Sequence, residues 1–207
     1  MQPSFIGLFL LKAIFWLLVC LAVWYLITPY LAMPVAMLAN WVVDLLFPYW
    51  ADGVLHEANT LVLLTRLEIP MAGVMQAGRI TVLAPEVDFR IYGYGLPFLA
   101  ALLLASKANK VLPKLLLGAL LLLPFQVWGV CFDWLKQVAI TGPDLYWSMQ
   151  IGSFKRELIA WGYQVGFLVL PTLIPVLLLA LMNRRFLSAF LLDAALDGAS
   201  HSQDREK

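Results

Sequence analysis

The hydrophobic residues of this chain form long runs that are separated by short polar segments. The first run covers residues 6–28, and about 20 apolar residues are enough for a helix to cross the hydrocarbon core of a bilayer. Later runs cover residues 91–106, 112–134 and 158–182. We therefore predict four transmembrane helices, the first of which ends at Pro29 because proline cannot donate a helical hydrogen bond.

Between the first two predicted spans, the pattern changes to the alternation of polar and apolar residues that is typical of strands. Residues 60–69 and 79–91 have this pattern, and the proline and glycine residues of segment 70–78 favour a hairpin turn. The second strand leads directly into the second span. The charged residues that we expect to pair across the hairpin are Arg66 and Glu68 with Arg79, Glu86 or Asp88.

The apolar segment 34–48 is too short to span the membrane comfortably. Asn40 and Asp44 interrupt it, and aromatic residues gather at its end, which favours an interfacial or re-entrant helix. A second full span is the alternative, and it would reverse the topology of the rest of the chain. Residues 52–57, which include His56, are expected to form a polar turn.

Composition and charge indicate an integral membrane protein with a defined orientation. Of the 207 residues, 62% are hydrophobic and 13% are charged, whereas a soluble domain averages about 45–50% and about 25%. The net charge of +1 provides no basic field for nucleic acid. Basic residues cluster in segments 107–114 and 184–185, and basic loops stay on the cytoplasmic side. Both termini are therefore expected in the cytoplasm.

The predicted fold class is a mainly α membrane protein with four transmembrane helices, a small extracytoplasmic β-hairpin and an interfacial helix. Its predicted parts are a first transmembrane helix (1–28), an extracytoplasmic segment (29–90), a three-helix transmembrane bundle (91–185) and a cytoplasmic tail (186–207). The end of the tail is polar, and this composition predicts disorder.

Polar residues near the membrane are the candidates for function, because each is costly in hydrocarbon. Gln126 and Asp133 are seven residues apart and share a face of the third span. Either they contact a partner, or Gln126 joins a neighbouring helix and Asp133 marks the water boundary. The residues that we predict as partner contacts are Arg90, Tyr92, Tyr94, Gln126, Asp133 and Gln164.

A cysteine-based catalytic site is one alternative. Cys131 lies near the outer end of the third span, and a reactive thiolate needs a neighbouring base or cation, for which His56 and Arg90 are the candidates. No motif ties these residues together. The sequence also lacks zinc-protease, nucleotide-binding and serine-hydrolase motifs, so we predict no metal, no cofactor and no catalytic residue. A subunit of a small transporter is the other alternative.

Long stretches of the chain resemble the exosortase H-associated membrane proteins. They are RIYGYGLPFLAALLLA, KLLLGALLLLPFQVWGVCFDWLKQ and GYQVGFLVLPTLIPVLLLALMNRRF, and the resemblance extends over residues 16–186. This family is encoded beside exosortases, the bacterial membrane transpeptidases that process proteins with a C-terminal sorting signal. The resemblance implies a non-catalytic accessory of the bacterial inner membrane that contacts lipid and binds the exosortase or its sorted substrate.

A weaker likeness connects the chain to the exosortases themselves. In that family, a strand-like outer segment leads into a helix that opens with a catalytic cysteine, and later helices supply an arginine and a histidine. Here the corresponding helix opens with Tyr92-Gly93-Tyr94-Gly95, and Asp133 or a neighbour holds the place of the arginine. No histidine lies near Gly162. The likeness implies the shell of that fold without its chemistry.

Overall fold

The structure is a computed structural model that describes residues 5–70, 80–141, 151–184, 186–188 and 192. Its α-helices are α1 (Phe5–Leu46), α2 (Arg90–Gly93), α3 (Gly95–Ala105), α4 (Val111–Lys136), α5 (Ser153–Gln164) and α6 (Leu170–Met182). Its π-helical segments are Gln137–Thr141, which continues α4, and Val165–Val169, which joins α5 to α6. Its strands are β1 (Ala51–Glu57), β2 (Thr60–Thr65), β3 (Glu68–Pro70), β4 (Ile80–Val82) and β5 (Glu86–Asp88).

Long apolar helices dominate the described part of the chain, so the prediction of a mainly helical membrane protein is confirmed. Three of these helices are long and apolar enough to cross a membrane, namely Ile6–Leu46, Val111–Ala139 and Ser153–Met182. The predicted second span forms the shorter apolar helix Arg90–Ala105. Its length falls below the roughly 20 residues of a typical span, so the count of four spans stays a prediction.

Helix α1 corrects the predicted end of the first helix. It contains 42 residues and includes both Pro29 and Pro34 in its interior. Proline removes one N–H donor, but a long apolar helix tolerates this loss where neighbouring groups take up the freed carbonyl. The helix predicted at residues 34–48 is therefore the second half of α1 rather than a separate element.

The fourth predicted span also begins earlier than expected. Its helix starts at Ser153 rather than at residue 158, so the charged first turn of α5 belongs to the helix. Residues 142–150, which precede this helix, lie outside the described residues. The same holds for residues 193–207 of the predicted tail.

The chain divides into two compact units. The helix unit comprises Met1–Trp24, Gly95–Leu122 and Thr172–Lys207, and the sheet unit comprises Tyr25–Tyr94 and Leu123–Pro171, as far as these residues are described.

The helix unit has a purely apolar core, to which Phe9, Leu99, Leu103, Leu122 and Leu178 contribute. At one end of this unit, the Asn183 side-chain amide donates to the Ser106 hydroxyl at 3.2 Å. The rings of Phe9 and Phe186 lie 4.6 Å apart, centroid to centroid. The start of α1, the end of α3 and the residues after α6 therefore meet at the same end of the helix unit.

The sheet unit contains a three-stranded antiparallel sheet in the order β1-β2-β5, and β3 and β4 form a separate antiparallel pair. The segments predicted as two hairpin strands thus lie antiparallel, but each is divided into two short strands. Residues 71–79 of the predicted turn lie outside the described residues. Strand β1 replaces the polar turn predicted at 52–57, because β2 pairs with it from Glu57 to Ala51, with a register shift between Gly53 and Ala51.

The ion pair of Arg66 differs from the one predicted. Arg66 pairs with Asp52 of β1, with Nε 2.7 Å from Oδ1, and not with Glu86 or Asp88. This pair follows from the unpredicted strand, since β1 brings Asp52 beside the end of β2. Hydrogen bonding from Arg66 lowers the pKa of the Asp52 carboxyl. Arg79 lies outside the described residues.

The second half of α1 packs its small residues against the sheet. Val35, Ala39 and Val43 recur at helical spacing, are at most 1% exposed and share a core with Leu61 and Val87 of the sheet. Small side chains on one helical face allow close approach of the sheet. The Asn40 side-chain oxygen also accepts a hydrogen bond from the Val54 backbone N–H at 2.8 Å. These contacts fix the sheet on α1.

Candidate functional site

A buried carboxyl group lies near the end of α4, in the sheet unit. Asp133 is 9% exposed, and one of its oxygens accepts a hydrogen bond from the Tyr92 hydroxyl at 3.0 Å. Tyr92 comes from the short helix α2 that follows strand β5, and it is 2% exposed. Burial of a polar group is costly unless it is hydrogen-bonded, so each of these residues stabilises the burial of the other.

Glycine residues make room for Tyr92. A Cβ atom on Gly129 would collide with the Tyr92 ring, and a Cβ atom on Gly166 would lie 2.8 Å from the Gly129 Cα atom. The rings of Tyr92 and Phe167 meet edge to face, with centroids 6.5 Å apart. The absence of side chains at both glycines therefore allows the second π-helical segment and α4 to approach each other around the tyrosine.

Lys136 and Gln137 complete the surroundings of Asp133. The Lys136 Nζ atom lies 3.6 Å from Oδ1 of Asp133 and 3.6 Å from the centroid of the Tyr163 ring. The Gln137 amide nitrogen donates to the same carboxyl oxygen at 3.5 Å. Spacings of three and four residues place both side chains on the Asp133 face of the helix. We refer to Tyr92, Asp133, Lys136 and Gln137 as the polar cluster.

The polar cluster also holds the sheet. The Gln137 amide accepts a hydrogen bond from the Glu86 backbone N–H at 3.3 Å and donates one to the Glu86 carbonyl at 2.9 Å. A side-chain amide thus takes the place of a neighbouring strand at β5. The Trp134 indole N–H donates to the Leu61 carbonyl of β2 at 3.2 Å. The end of α4 and the π-helical segment that continues it therefore bind two strands of the sheet.

Arg90 belongs to a second polar group that lies next to strand β5. Its Nε atom is 2.9 Å from both carboxyl oxygens of Asp88, and its Nη2 atom is 2.5 Å from Oδ2. It also donates to the Tyr25 hydroxyl at 3.2 Å and lies over the Tyr25 ring. Hydrogen bonding from Arg90 lowers the pKa of the Asp88 carboxyl below its usual value.

The residues predicted as partner contacts differ in their exposure to solvent. Tyr92 and Asp133 are buried and hydrogen-bonded to each other, which the sequence did not reveal. Gln126 is also buried, at 7% exposed, on the face of α4 that it shares with Asp133. Gln164 is exposed, whereas Tyr94 is half-buried and Arg90 is engaged with Asp88. These residues do not form a single surface.

The components of the alternative cysteine site are engaged elsewhere. Cys131 is buried in α4, at 9% exposed. The His56 Nε2 atom lies 2.8 Å from the Ala58 carbonyl, and Arg90 is held by Asp88. Within the described ranges, no group of three or more His, Cys, Asp or Glu side chains is arranged to hold a metal ion.

Sequence reasoning missed Lys136, Gln137 and Tyr163. The third span was predicted to end at residue 134, whereas α4 and its π-helical continuation include Lys136 and Gln137. Their spacing of three and four residues from Asp133 was a usable signal, since such positions are neighbours on a helix. No sequence signal identifies Tyr163, which reaches Lys136 from a different helix.

These features define an integral membrane protein in which a small antiparallel sheet is fixed to apolar helices by buried and half-buried polar side chains. The chain belongs to the family of exosortase H-associated membrane proteins, because the model of that family matches residues 3–186. The resemblance of its membrane segments to this family is thereby confirmed. None of the curated proteins and none of the solved structures that were compared with the chain matches it.

Proposed function

We propose that this protein is a non-catalytic accessory of an exosortase-type protein-sorting system in the bacterial inner membrane, where it binds the exosortase or its sorted substrate. The match of residues 3–186 to the exosortase H-associated family carries the proposal. The polar cluster agrees with it. Asp133 is buried and accepts a hydrogen bond from the Tyr92 hydroxyl. A general base must instead reach a proton of its substrate, so this arrangement favours a structural role.

The proposed topology has four spans and cytoplasmic termini. Within the helix unit, Lys107, Lys110 and Arg184 are exposed near the end where Phe9 meets Phe186. Basic residues favour the cytoplasmic side, which supports a cytoplasmic start of α1. Helix α1 has about twice the residues that a span requires, and its second half packs on the sheet. We therefore assign residues 29–90 to the outside.

Accessibility labelling tests this topology. Glu57 in β1 and Lys110 after α3 are exposed, so each is replaced singly by cysteine in a chain whose Cys20 and Cys131 are changed to alanine. A membrane-impermeant maleimide added to intact spheroplasts is expected to label the Glu57→Cys chain and to spare the Lys110→Cys chain until the membrane is opened. The reverse pattern would contradict the proposed orientation.

The proposed partner surface consists of the predicted contacts that are not fully buried, namely the exposed Gln164 and the half-buried Arg90 and Tyr94. The buried residues Tyr92, Gln126 and Asp133 support this surface from inside the sheet unit. Replacement of Gln164 by alanine removes an exposed amide without disturbing the core, and Tyr49→Phe provides a control at a side chain that is 89% exposed. We expect the partner to co-purify more weakly with the Gln164→Ala variant, and to co-purify with the Tyr49→Phe control as well as with wild type.

The function itself is tested by deletion and complementation in the native host. Deletion is expected to reduce processing of the sorted substrate, and both the wild-type chain and Cys131→Ala are expected to restore it. Purification from native membranes is expected to retain an exosortase or a sorted substrate. Loss of processing with Cys131→Ala alone would favour the membrane cysteine enzyme, and solute uptake by vesicles of the purified protein would favour the transporter subunit.

A further inference from the structure

An apolar groove of about 370 Å³ lies within the helix unit and is separate from the polar cluster. It is formed by α1, α3, α6 and the residues that follow α6, and every residue that lines it is apolar. Its lining includes Phe9, Ala13, Leu17, Phe98, Ala180 and Leu187. The residues from α1 belong to a helix that is long and apolar enough to cross a membrane, so the groove suits a hydrocarbon ligand rather than a polar one.

The size of the groove fits part of an acyl chain. An apolar cavity of about 150 Å³ holds one benzene ring, and by that scale this groove holds on the order of a dozen carbon atoms. The lining positions on α1 extend from Phe9 to Leu17, which corresponds to roughly 12 Å along a helix. The groove is therefore elongated along α1, as a lipid tail requires.

Charge at one end of the groove favours an anionic head group. Arg184 is exposed and lies one helical turn before Leu187, which lines the groove. Lys107 and Lys110 are exposed in the segment after α3, at the same end of the helix unit. The described residues of this unit include no aspartate or glutamate. A phosphate at this end would thus meet positive charge without opposing carboxylates.

We propose that the groove binds one acyl chain of an anionic phospholipid, whose phosphate lies beside Arg184. A transmembrane helix of a partner would also bury apolar surface here. The phospholipid is favoured because the exposed basic residues at this end of the helix unit select an anion, which the apolar side chains of a transmembrane helix do not supply.

Native mass spectrometry of the full purified chain tests the proposal, with dioleoyl phosphatidylglycerol and dioleoyl phosphatidylcholine as probes. Phosphatidylglycerol is expected to bind more tightly. Arg184→Gln is expected to lower its affinity about fivefold and to leave phosphatidylcholine unchanged. Arg156→Gln, at an exposed arginine outside the helix unit, is the matched control and is expected to have no effect.

A second pair of variants tests the groove itself. Ala13→Trp places a large side chain in the groove, and Leu120→Trp places the same side chain at an exposed position of the helix unit that does not line it. The first variant is expected to lower phosphatidylglycerol affinity at least tenfold, and the second to leave it unchanged. If Ala13→Trp does not fold, as judged by circular dichroism, the smaller change Ala180→Phe replaces it.

Three results would overturn the proposal. One is unchanged phosphatidylglycerol binding by the folded groove-filling variant. Another is equal binding of the two lipids by the wild-type chain. The third is a groove-filling variant that keeps its lipid but loses a co-purified membrane protein, because this result would assign the groove to a partner helix.

Discussion

Replacing Tyr92 by phenylalanine tests the polar cluster with the loss of a single oxygen atom. The ring stays in its site against Gly129, but Asp133 loses a hydrogen bond of 3.0 Å. The other contacts of Asp133, with Gln137 at 3.5 Å and Lys136 at 3.6 Å, are too long to compensate fully. The carboxyl group is thus left buried with weak partners.

The size of the effect follows from where Asp133 lies. A hydrogen bond to a charged group contributes about 1.5–3 kcal/mol in soluble proteins, whereas bonds between membrane helices average about 0.6 kcal/mol and reach about 1.7 kcal/mol. The Asp133 side chain is 12% exposed and lies near the end of a candidate span, so neither limit applies fully. We expect Tyr92→Phe to lower the free energy of unfolding by about 1–2 kcal/mol.

Unfolding by sodium dodecyl sulfate in mixed micelles measures this free energy. Wild type, Tyr92→Phe, Asp133→Asn and the double variant form a double-mutant cycle, whose coupling energy is expected to be about 1 kcal/mol. Tyr49→Phe removes the same atom from a side chain that is 89% exposed, and it is expected to change stability by less than about 0.5 kcal/mol. A coupling energy below about 0.3 kcal/mol would refute the proposed hydrogen bond.

The remaining predictions concern packing, pH and function. Gly129→Ala gains up to about 1 kcal/mol of helix propensity, but its Cβ atom overpacks the Tyr92 ring at a cost of about 1–3 kcal/mol, so a net loss of stability is expected in the same assay. Gly152→Ala is the control without overpacking, because a Cβ atom there meets open space; Gly152 is the N-cap of α5, so a loss of about 0.5 kcal/mol is expected from the cap alone. The pKa of the Asp88 carboxyl is lower in the folded state than in the unfolded state. The ionised Asp88 therefore stabilises the fold fully at pH values above its unfolded-state pKa, and this stabilisation is lost as the pH falls through its folded-state pKa. Melting temperature is therefore expected to decline below about pH 4, and Asp88→Asn should flatten that decline. Cys131→Ala is expected to support substrate processing at the wild-type level, and a loss would favour a catalytic thiol.

The membrane helices were predictable because length and apolar content determine which segments can cross a bilayer. The continuity of α1 was not predictable, because a proline in the sequence indicates the end of a helix. In the structure, packing on the sheet stabilises the helix beyond both prolines. Val35, Ala39 and Val43 lie on one helical face beyond both prolines and are almost fully buried. Their burial favours continuation of the helix, and sequence alone does not reveal which surface buries them.

The strands were partly predictable for a related reason. The predicted alternation identified the segments that became β2 and β5, but only β5 has an alternating burial pattern, with Val87 buried between two less buried residues. The central strand β2 is buried on both faces, since Leu61, Val62 and Leu63 are all buried. Strand β1 was missed because its sequence, ADGVLHE, combines glycine and charged residues that favour turns. Gly53 adopts a φ of 129°, where the register between β1 and β2 shifts, so the glycine that suggested a turn accommodates an irregularity in a strand.

The candidate site was predictable residue by residue but not as an arrangement. Asp133 and Tyr92 attracted notice as polar groups near the membrane, yet 41 positions separate them, and sequence spacing cannot pair such residues. The glycines gave a usable hint, because Gly129 and Gly166 lie in apolar helices where glycine is unfavourable without a packing reason. Their contacts show that the reason is the close approach of two helical segments around Tyr92.

The polar cluster is better suited to fixing geometry than to reacting. Gln137 satisfies both the donor and the acceptor of Glu86, and its neighbours on α4 hold Tyr92 and Leu61. A buried polar network in which the members satisfy each other rigidifies the elements that supply it. Because α1 supports the same sheet through Asn40, a partner that binds the sheet would meet a surface held from two helices. Preorganisation of this kind lowers the entropic cost of binding, which agrees with the accessory role that we propose.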